Sequence, residues 1–212
     1  MGKSVTNGNV KKPNRQKARL ARRAAEQEAA TAHAEKEAAD LPNLREQERK
    51  SMRNAYTIRD LTEHEIRSDG HCLYAAIADQ LQSTGIGLKP RFDVHSLSSL
   101  SEPASENAAY SVTRQVAAAY ISQNPNDFEP FLEEPIQDYV KTIRETGEWG
   151  GHLEILALAK AYRVDVNVIQ GSGKVEKVEC AFGNLIKSGL HTIAIALALG
   201  EHYNSLRKTK LP

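Results

Sequence analysis

The sequence predicts an α+β domain, a small central β-sheet flanked by helices and preceded by a helical N-terminal extension. Three observations predict it. Helical patterns recur between loops along the chain as far as Arg163. From Val164 the apolar period changes to two, with Val164, Val166 and Val168 alternating with Asp165 and Asn167. His191 to Leu199 then sets Ile193, Ile195, Leu197 and Leu199 among alanines, so both faces are apolar, as in a central strand covered on both sides. Helices first and strands later argue for α+β.

Residues 1–54 form a charged arm. Residues 14–39 are rich in Ala, Arg, Glu, Gln and Lys, with neither Gly nor Pro, and Leu20 is nearly the sole large apolar side chain. Such a helix buries little and projects from the domain. Pro42 is expected to interrupt it before a second charged helix from Asn43 to about Asn54. The plainer alternative for the arm is a solvated, partly disordered tail.

The compact domain is expected over residues 55–212. Cys72–Leu81 places Leu73, Ile77 and Leu81 on one helical face. Residues 83–107, with Gly85, Gly87, Pro90, Pro103 and many serines, are expected to form a loop. Helices are expected at Tyr110–Gln123, at Pro135–Glu145, and after Gly150-Gly151. Gly171-Ser172-Gly173 predicts a hairpin turn into Lys174–Cys180, and Tyr203–Leu206 continues the sheet.

Composition narrows the function. The chain has 212 residues and a formal net charge of +1, so its average charge identifies no partner. Two cysteines, Cys72 and Cys180, are too few for a disulfide framework; a single bridge or two free thiols remain open. No apolar signal segment opens the chain, and Ile193–Leu199 is too short to span a bilayer. A soluble cytoplasmic monomer is expected. Met1-Gly2-Lys3-Ser4-Val5-Thr6 fits the loose myristoylation pattern, which matches by chance often.

Ser68-Asp69-Gly70-His71-Cys72 immediately precedes the first amphipathic helix of the domain. A cysteine there faces the positive end of the helix dipole, which favours the thiolate nucleophile. Gly70 permits a tight turn, and the amides from Gly70 to Cys72 are candidate oxyanion donors. A lone cysteine is more often a small core residue. Of the seven histidines, His33 lies in the arm and His95 in the Ser-rich loop. His71 adjoins the cysteine but points elsewhere, His152 suits a cap or a structural contact, and His191 has no evident orienting partner. His202 follows the central strand, and Asn204, two residues on, projects to the same side in an extended segment. Asn204 is thus placed to orient the ring, giving a Cys–His–Asn set of the papain-like type. A surface turn histidine is the bland alternative. No cysteine–histidine–carboxylate cluster has zinc spacing, and neither metal nor cofactor is expected.

Asp69-Gly70-His71-Cys72-Leu73-Tyr74-Ala75-Ala76-Ile77 resembles the signature block of the ovarian-tumour (OTU) cysteine proteases. Trp149-Gly150-Gly151-His152-Leu153-Glu154-Ile155 resembles their middle block, and Gly200-Glu201-His202-Tyr203-Asn204-Ser205 their terminal block. The blocks occur in the family's order, from about Arg59 to Leu206. The resemblance implies a deubiquitinase acting on ubiquitin or polyubiquitin conjugates, with Cys72 as nucleophile and His202 as base. It implies that Asp69 either orients the histidine or shapes the oxyanion loop, and that Asn204 fills the orienting role otherwise. The middle block is implied to border the channel for the ubiquitin C-terminus; for Trp149 itself, a core aromatic is the favoured reading.

The arm resembles the charged helical extensions of OTU enzymes that act on ribosome-associated ubiquitin. Eight cations, Lys3 to Arg23, precede the first acid, Glu26. Such a helix suits an RNA backbone, so ribosome or rRNA docking is expected beside the dull alternatives of nuclear import and solubility.

Overall fold

The computed structural model describes residues 15–92, 108–180, 191–198 and 202–209. The myristoylation pattern at Gly2, most of the expected 83–107 loop with His95, and Gly200-Glu201 lie outside the described residues. The chain divides into two compact units, Met1–Glu46 and Gln47–Pro212.

Helix α1 spans Arg15–Thr57. It is one helix where two were expected, and Pro42 stands inside it. A proline withdraws one donor and crowds the preceding turn, at about 3 kcal/mol, which the strong helix formers on either side sustain. In the first unit the described side chains of residues 22–36 are exposed, and Arg22 pairs with Glu26 one turn on, at 3.1 Å.

In the second unit, packing reaches back into α1. Met52, Ala55 and Tyr56 are buried, so the domain start expected at residue 55 falls inside this helix. Then follow β1 (Leu61–His64), α2 (Cys72–Ser83), α3 (Ala109–Gln123), α4 (Pro125–Phe128), α5 (Ile136–Glu145) and α6 (His152–Tyr162). The chain continues with β2 (Val164–Gln170), β3 (Val175–Val178), β4 (His191–Ala198) and β5 (His202–Lys208). The period-two reading of β2, the hairpin to β3 and the central position of β4 match the sequence. The short strand β1 and the single turn α4 carry too little pattern to be read from it.

The sheet order is β1-β5-β4-β2-β3. Only β4 and β2 are parallel; the other pairs are antiparallel. β4 is covered on both faces, and the alternation of its side chains explains how. Ile193 and Ile195 enter the main core with Leu73, Ile77 and Leu81 of α2 and Val116 and Ile121 of α3. Ala194, Ala196 and Ala198 face a second cluster with Met52, Ala55 and Tyr56, where small side chains let the end of α1 lie close. Each fully buried Leu or Ile contributes about 1.5–3 kcal/mol.

Polar contacts then fix how α2 lies on the sheet. The β4–β5 ladder covers Ile195–Ala198 against His202–Ser205. Just beyond it, the buried Gln80 side chain takes the ladder's place. Its Oε1 accepts Ala194 N–H at 3.0 Å, and its Nε2 donates to Leu206 C=O at 2.7 Å and to Ser205 Oγ at 2.9 Å. The neighbouring Asp79 accepts from Ser205 and from Arg207, with His64 Nε2 3.7 Å away.

Burial would raise the Asp79 carboxyl, but hydrogen bonds from Arg207 and Ser205, and the Arg207 charge, hold it below its ordinary value. A depressed carboxyl stabilises the fold above its unfolded value and loses that contribution as pH falls through the folded one. Asp79→Asn is therefore expected to cost about 2 kcal/mol in urea unfolding at neutral pH, with the gap to wild type closing below about pH 4. A gap independent of pH would show that the carboxylate charge is not what binds α2 to β5.

Candidate active site

Cys72 is the first residue of α2, with His71 as its N-cap, and its side chain is 2% exposed. Burial pushes the thiol up; the backbone N–H groups of Tyr203 and Leu73 favour the thiolate, and the Asp69 charge opposes it. The net direction is upward, so the preference for thiolate expected of a helix start is outweighed by burial. The Tyr203 amide beside the sulfur also places Cys72 against the first residues of β5, where His202 stands.

The His202 ring is held by a chain of bonds with one consistent polarity. Its Nε2 lies 2.9 Å from Asn204 Oδ1. That same oxygen accepts the Ile66 N–H at 2.9 Å, and Asn204 Nδ2 donates to Glu63 Oε1 at 2.7 Å. A backbone N–H only donates and a carboxylate only accepts, so the Asn204 amide cannot be reversed. Its oxygen therefore faces His202, and Nε2 must carry the proton. The other nitrogen, Nδ1, then presents a lone pair; it is buried and has no hydrogen-bond partner among the described residues.

Asp69 serves the turn instead of the histidine. Its Oδ1 accepts the His71 N–H at 2.9 Å, its Oδ2 accepts Arg67 Nε at 2.6 Å, and its backbone carbonyl accepts the Cys72 N–H at 3.1 Å. Burial would raise its carboxyl, but the His71 amide and Arg67 hold it below the ordinary range. Two of the three amides expected to be free donors are thus occupied. Of the three, the Gly70 N–H has no hydrogen-bond partner among the described residues.

Gly70 passes so close to the loop before α6 that an added Cβ would stand 1.6 Å from Gly147 O. Its carbonyl accepts from the guanidinium of Arg114 in α3, at 2.6 Å. The His71 ring stacks on Tyr110, with centroids 4.2 Å apart. Trp149 is 50% exposed, which corrects its reading as a core aromatic. It is Gly150 that packs: an added Cβ there would meet Leu73 Cδ2 at 2.5 Å, so the backbone takes up the space a side chain would need. Glu154 is buried, caps α6 through the Gly151 N–H at 2.6 Å, and accepts from Tyr139 Oη.

Glu63, Gln80 and Arg114 are site-forming residues that the sequence reading missed. Arg114 had a legible signal, since it shares a helical stripe with Ala117, Ala118 and Ile121, all buried. Gln80 adjoins Leu81 in an apolar helix but carries no pattern of its own. Glu63 had no local signal at all. Among the described residues no group of His, Cys, Asp and Glu is arranged to hold a metal ion.

Residues 67–203 match the family of OTU-like cysteine proteases. The chain belongs to that family. OTU domain-containing protein 2 of Saccharomyces cerevisiae is 33% identical over 199 residues, covering 91% of this chain and 60% of that protein. Deubiquitinase OTUD6B of Homo sapiens is 30% identical over 195 residues, covering 91% of this chain and 62% of that one. The chain thus spans about three fifths of the length of these curated relatives. The solved structure of the OTUD1 OTU domain superposes with a TM-score of 0.60 at 18% identity, covering 79% of this chain and 99% of that one, which establishes the fold. The OTU fold agrees with the α+β expectation.

Two close-packed glycines of this OTU domain, Gly70 and Gly150, meet different obstacles. Gly70 faces a backbone carbonyl, whereas Gly150 faces side-chain atoms of Leu73 and Tyr74, which have some room to turn. Gly70→Ala is expected to cost about 3 kcal/mol in urea unfolding and Gly150→Ala about 1–2 kcal/mol. The reverse order would mean that the loop before Cys72 yields to a methyl group.

Proposed function

We propose that this chain is a thiol-dependent ubiquitinyl hydrolase that cleaves the bond after the C-terminal glycine of ubiquitin. One observation carries the reading: the His202 ring is held by Asn204 so that its unpartnered Nδ1 is the acceptor, next to the strand residue whose amide lies against the Cys72 sulfur. The names of the relatives, Deubiquitinase OTUD6B and Ubiquitin thioesterase otu2 of Schizosaccharomyces pombe, supply the substrate class.

In this mechanism His202 Nδ1 takes the Cys72 proton, and the thiolate attacks the glycine carbonyl. The carbonyl oxygen becomes an oxyanion beside the Gly70–Cys72 amides. As the C–N bond breaks, the proton on Nδ1 passes to the leaving lysine amine, giving a thioester on Cys72. Water, deprotonated by the same nitrogen, hydrolyses the thioester and returns the thiol. Asn204 keeps the ring in one tautomer throughout, and Asp69 braces the turn.

A ubiquitin probe with an electrophilic C-terminus is expected to add one ubiquitin mass to the freshly reduced wild type and none to Cys72→Ala. His202→Ala is expected to slow turnover about 10²–10⁴-fold, with Asn204→Ala intermediate. Absence of an adduct on wild type would sink the reading and favour a catalytically silent ubiquitin-binding module.

The arm supports a second element of the proposal, a cytoplasmic enzyme docked on ribosomes through rRNA. Its cations precede its acids in sequence, and the described side chains of residues 22–36 are exposed. Co-sedimentation with ribosomes is expected for the full chain, to weaken as salt rises, and to be lost on deletion of residues 1–40 while hydrolysis persists. Equal sedimentation of both chains would remove the arm from the proposal.

A further inference from the structure

Arg114 is 3% exposed, and a buried cation is costly unless its donors are satisfied. Here backbone carbonyls take three bonds from its two Nη groups, while Nε is buried without a partner among the described residues. Nη1 donates to Ile143 C=O at 2.8 Å, in the last turn of α5, where helix carbonyls lack partners and the dipole is negative. Nη2 donates to Gly70 C=O at 2.6 Å and to Glu148 C=O at 2.8 Å. The guanidinium carbon lies 4.1 Å from the centre of the Tyr74 ring, one turn into α2. One side chain on α3 therefore gathers the loop before Cys72, the helix that Cys72 starts, the end of α5 and the loop leading to α6.

The grip on Gly70 matters most. A trans peptide is planar, so its C=O and the following N–H point in opposite directions. By holding the Gly70 oxygen, Arg114 sets the direction of the His71 N–H on the far side of the loop. That N–H meets Asp69 Oδ1 at 2.9 Å, so a negatively charged oxygen already occupies its acceptor position in the free protein. We infer that Arg114 is a positioning residue for oxyanion stabilisation: it orients the peptide before Cys72 whose N–H receives the charge that develops on the substrate carbonyl. The inference rests on the proposed thiol hydrolysis for its chemistry. A lysine at this position keeps the charge but loses the planar fork that reaches several carbonyls at once.

Two reactions of Cys72 separate this role from a general structural one. Hydrolysis of a fluorogenic ubiquitin C-terminal amide passes through an oxyanion. Alkylation by iodoacetamide needs the thiolate and forms no oxyanion. In Arg114→Lys, kcat for the amide is expected to fall about 10²–10³-fold with KM changed by less than about 3-fold. Alkylation of Cys72, followed by mass spectrometry from neutral to alkaline pH, is expected to stay within about 3-fold of wild type with an unmoved midpoint. Cys180, whose N–H bonds Asp165 Oδ1 at 3.2 Å, is an internal check: labelling of it beyond that of the wild type reports a disturbed fold. If Arg114→Lys shows that excess, Arg114→Gln carries the same comparison. A parallel fall in both reactions, full turnover in the lysine variant, or excess labelling of Cys180 in both variants overturns the inference. A wild type that does not hydrolyse the amide defeats the protease proposal itself, whereas the inference is decided by the ratio of variant to wild type.

Discussion

The arrangement of this domain depends on how the helix that begins with Cys72 lies along the strand that begins with His202. Cys72 meets the Tyr203 amide, and Gln80 meets the Leu206 carbonyl. Eight residues of helix rise about 12 Å and three residues of strand about 10 Å, so the two elements run side by side in the same direction. Apolar packing brings them together but tolerates sliding. The Gln80 amide does not, because the Ala194 N–H and Leu206 C=O beyond the ladder need partners, and a slipped helix leaves buried polar groups unpaired. Asp79 adds a charged anchor beside it. Two residues in the second half of α2 thereby set the relation between a thiol and an imidazole at the starts of their elements.

Around that anchor, each polar side chain of the site is oriented by a neighbour that has no freedom to reverse its role. The Ile66 N–H and the Glu63 carboxylate orient Asn204, and Asn204 orients His202. Arg114 holds the Gly70 carbonyl from one side while Asp69 holds the His71 N–H from the other. This division of labour explains why a family motif can contain both an aspartate before the cysteine and a polar residue two after the histidine. Here the first braces a turn and the second sets a tautomer.

The electrostatics around Cys72 are set first by burial. Burial raises the Cys72 thiol, and Asp69 adds to the rise, while the Tyr203 and Leu73 amides offset part of it. The Asp69 carboxyl, held low by the His71 amide and Arg67, keeps an acceptor on the amide next to Cys72. The cation Arg114 is spent on backbone carbonyls. Geometry here is carried by buried hydrogen bonds, and charge is used sparingly.

The sequence by itself determined the fold class, the central strand, the helix on which Cys72 stands and the identity of the nucleophile–base candidates. Each is written in a local signal: a period of 2 or 3.6, a glycine before a helix start, a histidine and an asparagine two apart on one strand. It also misled in places where local rules were overruled. Pro42 does not end α1, Trp149 is not in the core, and the amides before Cys72 are not all free. Only the tertiary structure decided which residue orients His202, which way the Asn204 amide faces, and that Gln80, Glu63 and Arg114 belong to the site at all. Apart from His202 and Asn204 themselves, two residues apart, the partners in those contacts are 29 to 141 residues apart in the chain. A single polar side chain has no period to reveal a distant partner, so such contacts become visible only when the backbone has brought both ends together.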